Sequence, residues 1–150
     1  MKKIFNFIIV FLPWFIGSIF INNSFYNEIE LPFFAPPSII FKIIWPILYF
    51  LIALSIYYIM EKISIKSLSK NYKQALIINY ILNQLFIPLF FGLKSPFLGF
   101  IIATAIFITS LFLYVESASI NEKSGKLLIP YIMWNLFAAF LSLNIYLLNY

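Results

Sequence analysis

A chain of 150 residues that is 63% apolar and only 10% charged, with a mean hydropathy of +0.99, lacks the charge to cover a soluble globule of its own size. That excludes a soluble enzyme, a nucleic-acid module and a disordered tail. The net charge of +5, ten Lys against five Glu, reads as membrane topology and not as a nucleic-acid footprint. Cys, His, Asp and Arg are absent. Thiolate chemistry, His or Cys metal ligation, a Ser-His-Asp triad and bidentate guanidinium clamps are therefore unavailable, and no metal or cofactor is expected.

Five apolar stretches without a charged residue follow one another: 4–21, 43–60, 74–93, 97–115 and 127–148. Each has the length of a membrane-spanning helix and is too continuously apolar for a barrel strand. The first follows Met1-Lys2-Lys3 and looks like a signal peptide. It is longer than the usual hydrophobic region, and Asn22-Asn23-Ser24 is a poor cleavage site, so a retained first helix is expected. Pro13 should kink it unless local adjustment absorbs the break. The loop 22–42 carries Glu28, Glu30, Pro32, Pro36 and Pro37, and its prolines argue against a regular helix.

The second stretch has Trp45 and Tyr49 four apart, with Pro46 near its expected start. The third carries Asn79, Asn83 and Gln84, then Pro88 deep inside. Asn79 and Asn83 share a helix face. Amides are costly in lipid and should point inward, either to bond neighbouring helices or to serve a ligand; spacing leaves both open. In the fourth stretch Gly99 and Ala103 form a small-xxx-small step, a candidate dimer contact. The fifth has Pro130 near its expected start, then Trp134, Asn135, Ala138, Ala139, Ser142 and Asn144. The small residues leave room beside the Trp134 indole. Most single aromatics are expected to be interfacial belt residues.

The expected fold is an all-α membrane protein, one domain over residues 1–150 with five transmembrane helices. Placing the amino terminus in the cytoplasm puts Lys2, Lys3, Lys62, Lys66, Lys70, Lys73, Lys123 and Lys126 inside and Lys42 and Lys94 outside. The carboxyl terminus then lies outside. No acid or base sits mid-span, which argues against ion-coupled transport.

Three motifs run through these elements. Pro36-Pro37-Ser38 through Phe41 to Trp45 and Leu48-Tyr49 resembles P-P-x-W-x-F-G-P-x-W-x-x-L-Y. Asn83 through Pro88-Leu89-Phe90-Phe91-Gly92 is similar to N-x-x-W-x-P-L-F-F-G. Leu128 through Pro130-Tyr131 and Trp134 to Phe137-Ala138 and Leu141 resembles L-x-P-Y-x-x-W-x-x-F-A-x-x-L-N. Together they resemble the tryptophan-rich sensory protein or translocator protein (TspO/MBR) family. The chain departs from it at Ile39, Lys42-Ile43, Phe86 and Ser142, and has only Trp14, Trp45 and Trp134.

The resemblance implies a five-helix membrane protein, often a homodimer, in a bacterial cell membrane. It implies a pocket for porphyrins or other flat apolar small molecules, lined by Tyr26, Pro36, Trp45, Tyr49, Asn83, Trp134, Ala138 and Leu141. Membrane lipid is the other expected partner, and nucleic acid is not one. A ligand-binding sensor or receptor is the first reading. The alternatives are light-dependent porphyrin degradation, with Trp45 and Trp134 as the reactive residues, and transport of porphyrin or lipid-like molecules. Without His, Asp or Cys, conventional acid–base catalysis has little to work with.

Overall fold

The computed structural model of the chain describes residues 2–20 and 24–150. There is no strand among the described residues. Helix α1 (Lys2–Phe11) runs straight into a 3-10 helix, Leu12–Phe20. A short α2 (Ser24–Glu28) follows, then α3 (Ser38–Lys62), α4 (Lys70–Ile87), α5 (Pro96–Ile120) and α6 (Glu122–Asn149). The spans close into a ring: α3 packs on α6, α6 on α5, α5 on α4, α4 on the 3-10 segment, and α1 on α3.

The polarity of this ring is inverted relative to a soluble bundle. Ile43, Ile47 and Phe50 of α3, Ile78 and Ile81 of α4, Ile108 and Phe112 of α5, and Met133 and Phe140 of α6 all face outward. Asn79, Asn83, Ser110, Ser124, Asn135 and Ser142 are buried. Apolar side chains cost nothing against lipid tails, whereas an unpaired amide there does. Segments 38–62, 70–92, 96–120 and 122–149 are each long and apolar enough to cross a membrane. The amino-terminal segment is long enough for a fifth crossing. Its ten α-helical and nine 3-10 residues rise about 33 Å, against a hydrocarbon core of about 30 Å. The protein is an integral membrane protein with several spanning helices.

Prolines 13 and 88 set two local departures from α geometry. Pro13 cannot donate, and the backbone tightens into 3-10 from Leu12. So long a 3-10 run is uncommon, and α4 supplies its missing partners. The Tyr80 hydroxyl donates to the Pro13 carbonyl at 3.1 Å. Gln84 Nε2 donates to the Trp14 carbonyl at 3.3 Å, and the Gly17 N–H donates to Gln84 Oε1. A side chain on Gly17 would press on the Gln84 backbone. At Pro88 the chain widens into one π turn, Pro88–Gly92, closed by the Leu93 N–H on the Pro88 carbonyl at 2.9 Å. Both breaks are thus absorbed locally, as irregular backbone within a membrane must be.

Four expectations need correction. All five helices begin before their apolar stretches, and α3, α5 and α6 also end beyond theirs, because residues that bound the stretches still take helical conformation. Pro46 and Pro130 are consequently interior to α3 and α6, about two turns in. The first loop does contain a helix, α2, placed before its prolines begin. Asn144 is not buried; its amide donates to the Phe140 carbonyl of its own helix at 2.8 Å. The expected junction at Ile21, Asn22 and Asn23 lies outside the described residues.

Candidate ligand-binding site

A cavity of about 240 Å³ opens toward the end of the ring where α3 begins and α6 finishes. Its α3 wall carries Ser38, Phe41, Lys42, Trp45, Pro46 and Tyr49. This set recurs at three- and four-residue steps and so forms one helix face. Opposite, α6 presents Trp134, Ala138, Leu141 and Ser142, again one face. The end of α4 and the π turn add Phe86, Ile87, Phe90 and Phe91. Phe90 and Phe91 both belong to the π turn. Phe15 and Tyr26 complete the wall.

The lining is a mesh of aromatic rings. Trp45 lies 5.4 Å from Tyr49 and 6.4 Å from Phe86 between ring centroids. Phe41 meets Trp134 edge-on at 5.8 Å. Such rigid rings cannot interdigitate fully, and Ala138 beside Trp134 takes up little of the gap. The Trp134 Nε1 donor is buried without a partner among the described residues. A mostly apolar wall with few polar groups is the usual character of a small-molecule site.

Behind this wall runs a ladder of neutral hydrogen bonds. The Tyr49 hydroxyl donates to Asn83 Oδ1 at 3.1 Å. Asn83 Nδ2 donates to the Tyr131 hydroxyl at 3.0 Å, and that hydroxyl donates to Asn79 Oδ1 at 3.0 Å. Asn79 Nδ2 continues to Thr109 Oγ1 at 2.9 Å and the Ile106 carbonyl at 3.2 Å. The ladder ties α3, α4, α6 and α5 together through their buried faces.

Of the residues expected at the pocket, Tyr26, Trp45, Tyr49, Trp134, Ala138 and Leu141 line the cavity. Asn83 and Pro36 do not. Asn83 stands one layer back, with its oxygen and nitrogen engaged by Tyr49 and Tyr131. Of the two uses left open for the amides, Asn79 and Asn83 serve helix bonding. Pro36 acts through its carbonyl, which accepts from the Tyr26 hydroxyl at 2.9 Å. Burial pushes the Tyr26 phenol up to about 12, so it remains a neutral donor at ordinary pH.

Phe15, Ser38, Phe41, Lys42, Pro46, Phe86, Ile87, Phe90 and Phe91 line the wall without having been expected there. Phe41, Phe90 and Phe91 were within quoted motifs, but among 19 Phe nothing in their spacing distinguished a wall from a lipid face. Trp14, which lies outside the three motifs, packs close to the wall. It is buried, 5.9 Å from the Tyr49 ring.

The Gly99–Ala103 step is used inside the chain. A Cβ on Gly99 would lie 2.3 Å from the Phe90 ring, and Ala103 is 1% exposed. The closeness that small residues permit here serves α5 against the π turn, which removes this step as a candidate dimer contact.

Comparison with known proteins matches residues 5–148 to the TspO/MBR family model. The chain is 36% identical over 129 residues to the tryptophan-rich protein TspO of Bacillus cereus, covering 86% of this chain and 83% of that one. It is 34% identical over 156 aligned residues to the protein of that name in Archaeoglobus fulgidus, covering 99% and 97%. A translocator protein homolog of Schizosaccharomyces pombe is 30% identical over 140 residues, covering 91% and 84%. A match of this extent, on a ring of membrane-spanning helices that carries all three motifs, decides the matter: the chain belongs to the TspO/MBR family.

Proposed function

We propose that this protein is a membrane sensor or receptor that binds porphyrins or similar flat apolar ligands in the α3–α6 cavity. The observation that carries this reading is the wall itself, two indoles and a set of phenyl rings around a space with few polar groups. A tetrapyrrole offers a broad aromatic face that stacks on indole and phenyl rings. The unpartnered Trp134 N–H supplies a donor that a ligand acceptor would satisfy. The translocator name of one relative agrees with a ligand-handling role.

The same reading places the amino terminus in the cytoplasm of a bacterial cell and the cavity mouth outside. Among the described residues, Lys62, Lys66, Lys70, Lys73, Lys123 and Lys126 cluster at one end of the ring, and Lys42 and Lys94 stand at the other. A cytoplasm-dependent reporter fused after Tyr150 should be silent. We also propose a homodimer, through a face other than Gly99–Ala103.

The binding test is absorbance of a free-base porphyrin mixed with the purified protein, in darkness and in light. A shifted Soret band that persists is the expected result. An unchanged band in both conditions rejects binding. Bleaching in light alone moves the assignment from sensor to photochemical breakdown.

A further inference from the structure

Among the described residues that line the cavity, Lys42 carries the one formal charge. Ser38 stands one turn before it on the same face of α3, and Trp45 and Tyr49 follow. Exposure falls along that face: Lys42 is exposed, Trp45 is half-buried and Tyr49 is 3% exposed. The wall thus grades from a polar cationic rim to a dry aromatic floor. Lys94, at the same end of the ring, is held 3.0 Å from the Glu28 carboxylate. Lys42 has no such partner among the described residues. Its position matches the glycine of the family signature, so the charge is a feature of this chain and not of the motif.

Resting on the binding function proposed above, we propose that the cavity selects flat apolar ligands bearing a carboxylate at one edge. Lys42 Nζ donates to that carboxylate at the rim while the apolar body lies between Trp45 and Trp134. The geometry suits an amphiphile of this shape, because the aliphatic stem of lysine covers apolar surface and leaves its ammonium at the water boundary. A charge-assisted hydrogen bond is stronger than a neutral one, and at a wet rim it sharpens selection more than it raises total affinity. A lipid headgroup offers a similar anion, so the assay must separate the two sources.

The test uses the full chain in a neutral maltoside detergent, in the dark. Protoporphyrin IX, with two free carboxylates, is compared with its dimethyl ester, whose body is nearly the same. Lys42→Gln should weaken the acid by about threefold to tenfold and leave the ester unchanged. Lys42→Glu should weaken the acid further. Added salt should reproduce the loss in the wild type and not in Lys42→Gln. Trp134→Ala should weaken acid and ester alike. If Lys42→Gln alters acid and ester equally, or neither, the proposal is overturned and Lys42 serves the lipid surface. If the wild type binds neither porphyrin, the binding function itself fails. If it binds both and Lys42 has no effect, only the carboxylate assignment fails.

Discussion

The two ends of the helix ring are built from opposite materials. At the end where α5 turns into α6, small residues meet. A Cβ on Gly125 would lie 2.7 Å from that of Ala118 and 3.0 Å from its Cα. At the adjacent residue of α6, α3 joins it through a reciprocal pair, Ser55 Oγ to the Ser124 carbonyl and Ser124 Oγ to the Ser55 carbonyl, both 2.9 Å. At the other end Trp45, Phe41, Phe90 and Trp134 face one another across a cavity. Without a hydrophobic force between helices in lipid, association rests on close contact and hydrogen bonds. Small residues deliver both and close one end. Large rigid rings at the other end hold the helices apart, and the helices leave a binding space.

Breaking the closed end should give the largest effect. Gly125→Leu would drive a side chain into the Ala118 backbone, which cannot swing aside. It should lower unfolding stability in detergent by about 3 kcal/mol. Gly99→Ala is the contrasting change at the open end. Its Cβ meets the Phe90 ring, and Phe90 borders the cavity. The ring can move into that space, so the cost should be nearer 1 kcal/mol, with porphyrin affinity falling as the cavity shrinks. Equal destabilisation by a matched pair, Gly125→Ala and Gly99→Ala, together with unchanged affinity in the latter, would erase the distinction between the ends.

The ladder behind the wall gives the next effect. Asn83→Ala leaves the Tyr49 hydroxyl without its acceptor and removes the donor to Tyr131. Loss of a buried partner costs about 1–3 kcal/mol. Because the amide does not line the cavity, porphyrin affinity should change by less than about twofold, well under the tenfold that 1.4 kcal/mol represents. Thermal unfolding and a porphyrin titration on the same sample separate the outcomes. A large affinity loss with intact stability would put Asn83 in contact with the ligand.

That result bears on what sequence could reveal. The five apolar stretches marked the spans, and the three motifs with the loop marked six residues of the cavity wall, since hydropathy and residue spacing are local properties. Asn83 was legible as an inward amide but not as a ladder member. Its partners, Tyr49, Tyr131 and, through Tyr131, Asn79, come together only when the ring closes. The π turn at Pro88 has the same character. A proline marks a break, but whether the chain kinks, tightens or widens depends on the neighbours that accept the freed groups. Lys42 is legible as a topological charge and as a departure from the motif; its three-residue step to Trp45 puts it on the same helix face, but only the closed ring shows that this face borders a cavity.

The wall aromatics should matter next. Trp134→Ala should cost about 0.5–1.5 kcal/mol of porphyrin binding beyond the lost burial, and Trp45→Ala a similar amount. Trp14→Phe should leave affinity intact, because Trp14 packs behind Tyr49 and does not line the cavity. Fluorescence quenching is a poor discriminator here, since Trp14 is only 5.9 Å from a wall residue and its emission should be quenched as well. Affinity measured by Soret absorbance is the appropriate readout. Equal losses in Trp14→Phe and Trp134→Phe would show that the indoles act through packing and not through contact.

The smallest expected effect tests how the open end is roofed. Tyr26, from α2, spans the loop with its hydroxyl on the Pro36 carbonyl and its ring 5.4 Å from Phe41. Tyr26→Phe keeps the ring and removes the hydrogen bond, for a cost of about 0.5–1.5 kcal/mol. Burial of the same phenol should have a pH signature. The folded phenol is raised from its ordinary 10.0 to about 12. A raised value means that the folded state favours the protonated form, so the contribution is complete below pH 10 and is lost as pH climbs through 12. The advantage of wild type over Tyr26→Phe should therefore hold at neutral pH and fall across that window, and porphyrin affinity should follow if the contact holds the cavity roof. A constant difference from neutral pH to beyond 12 would mean that ionisation of Tyr26 is not coupled to folding.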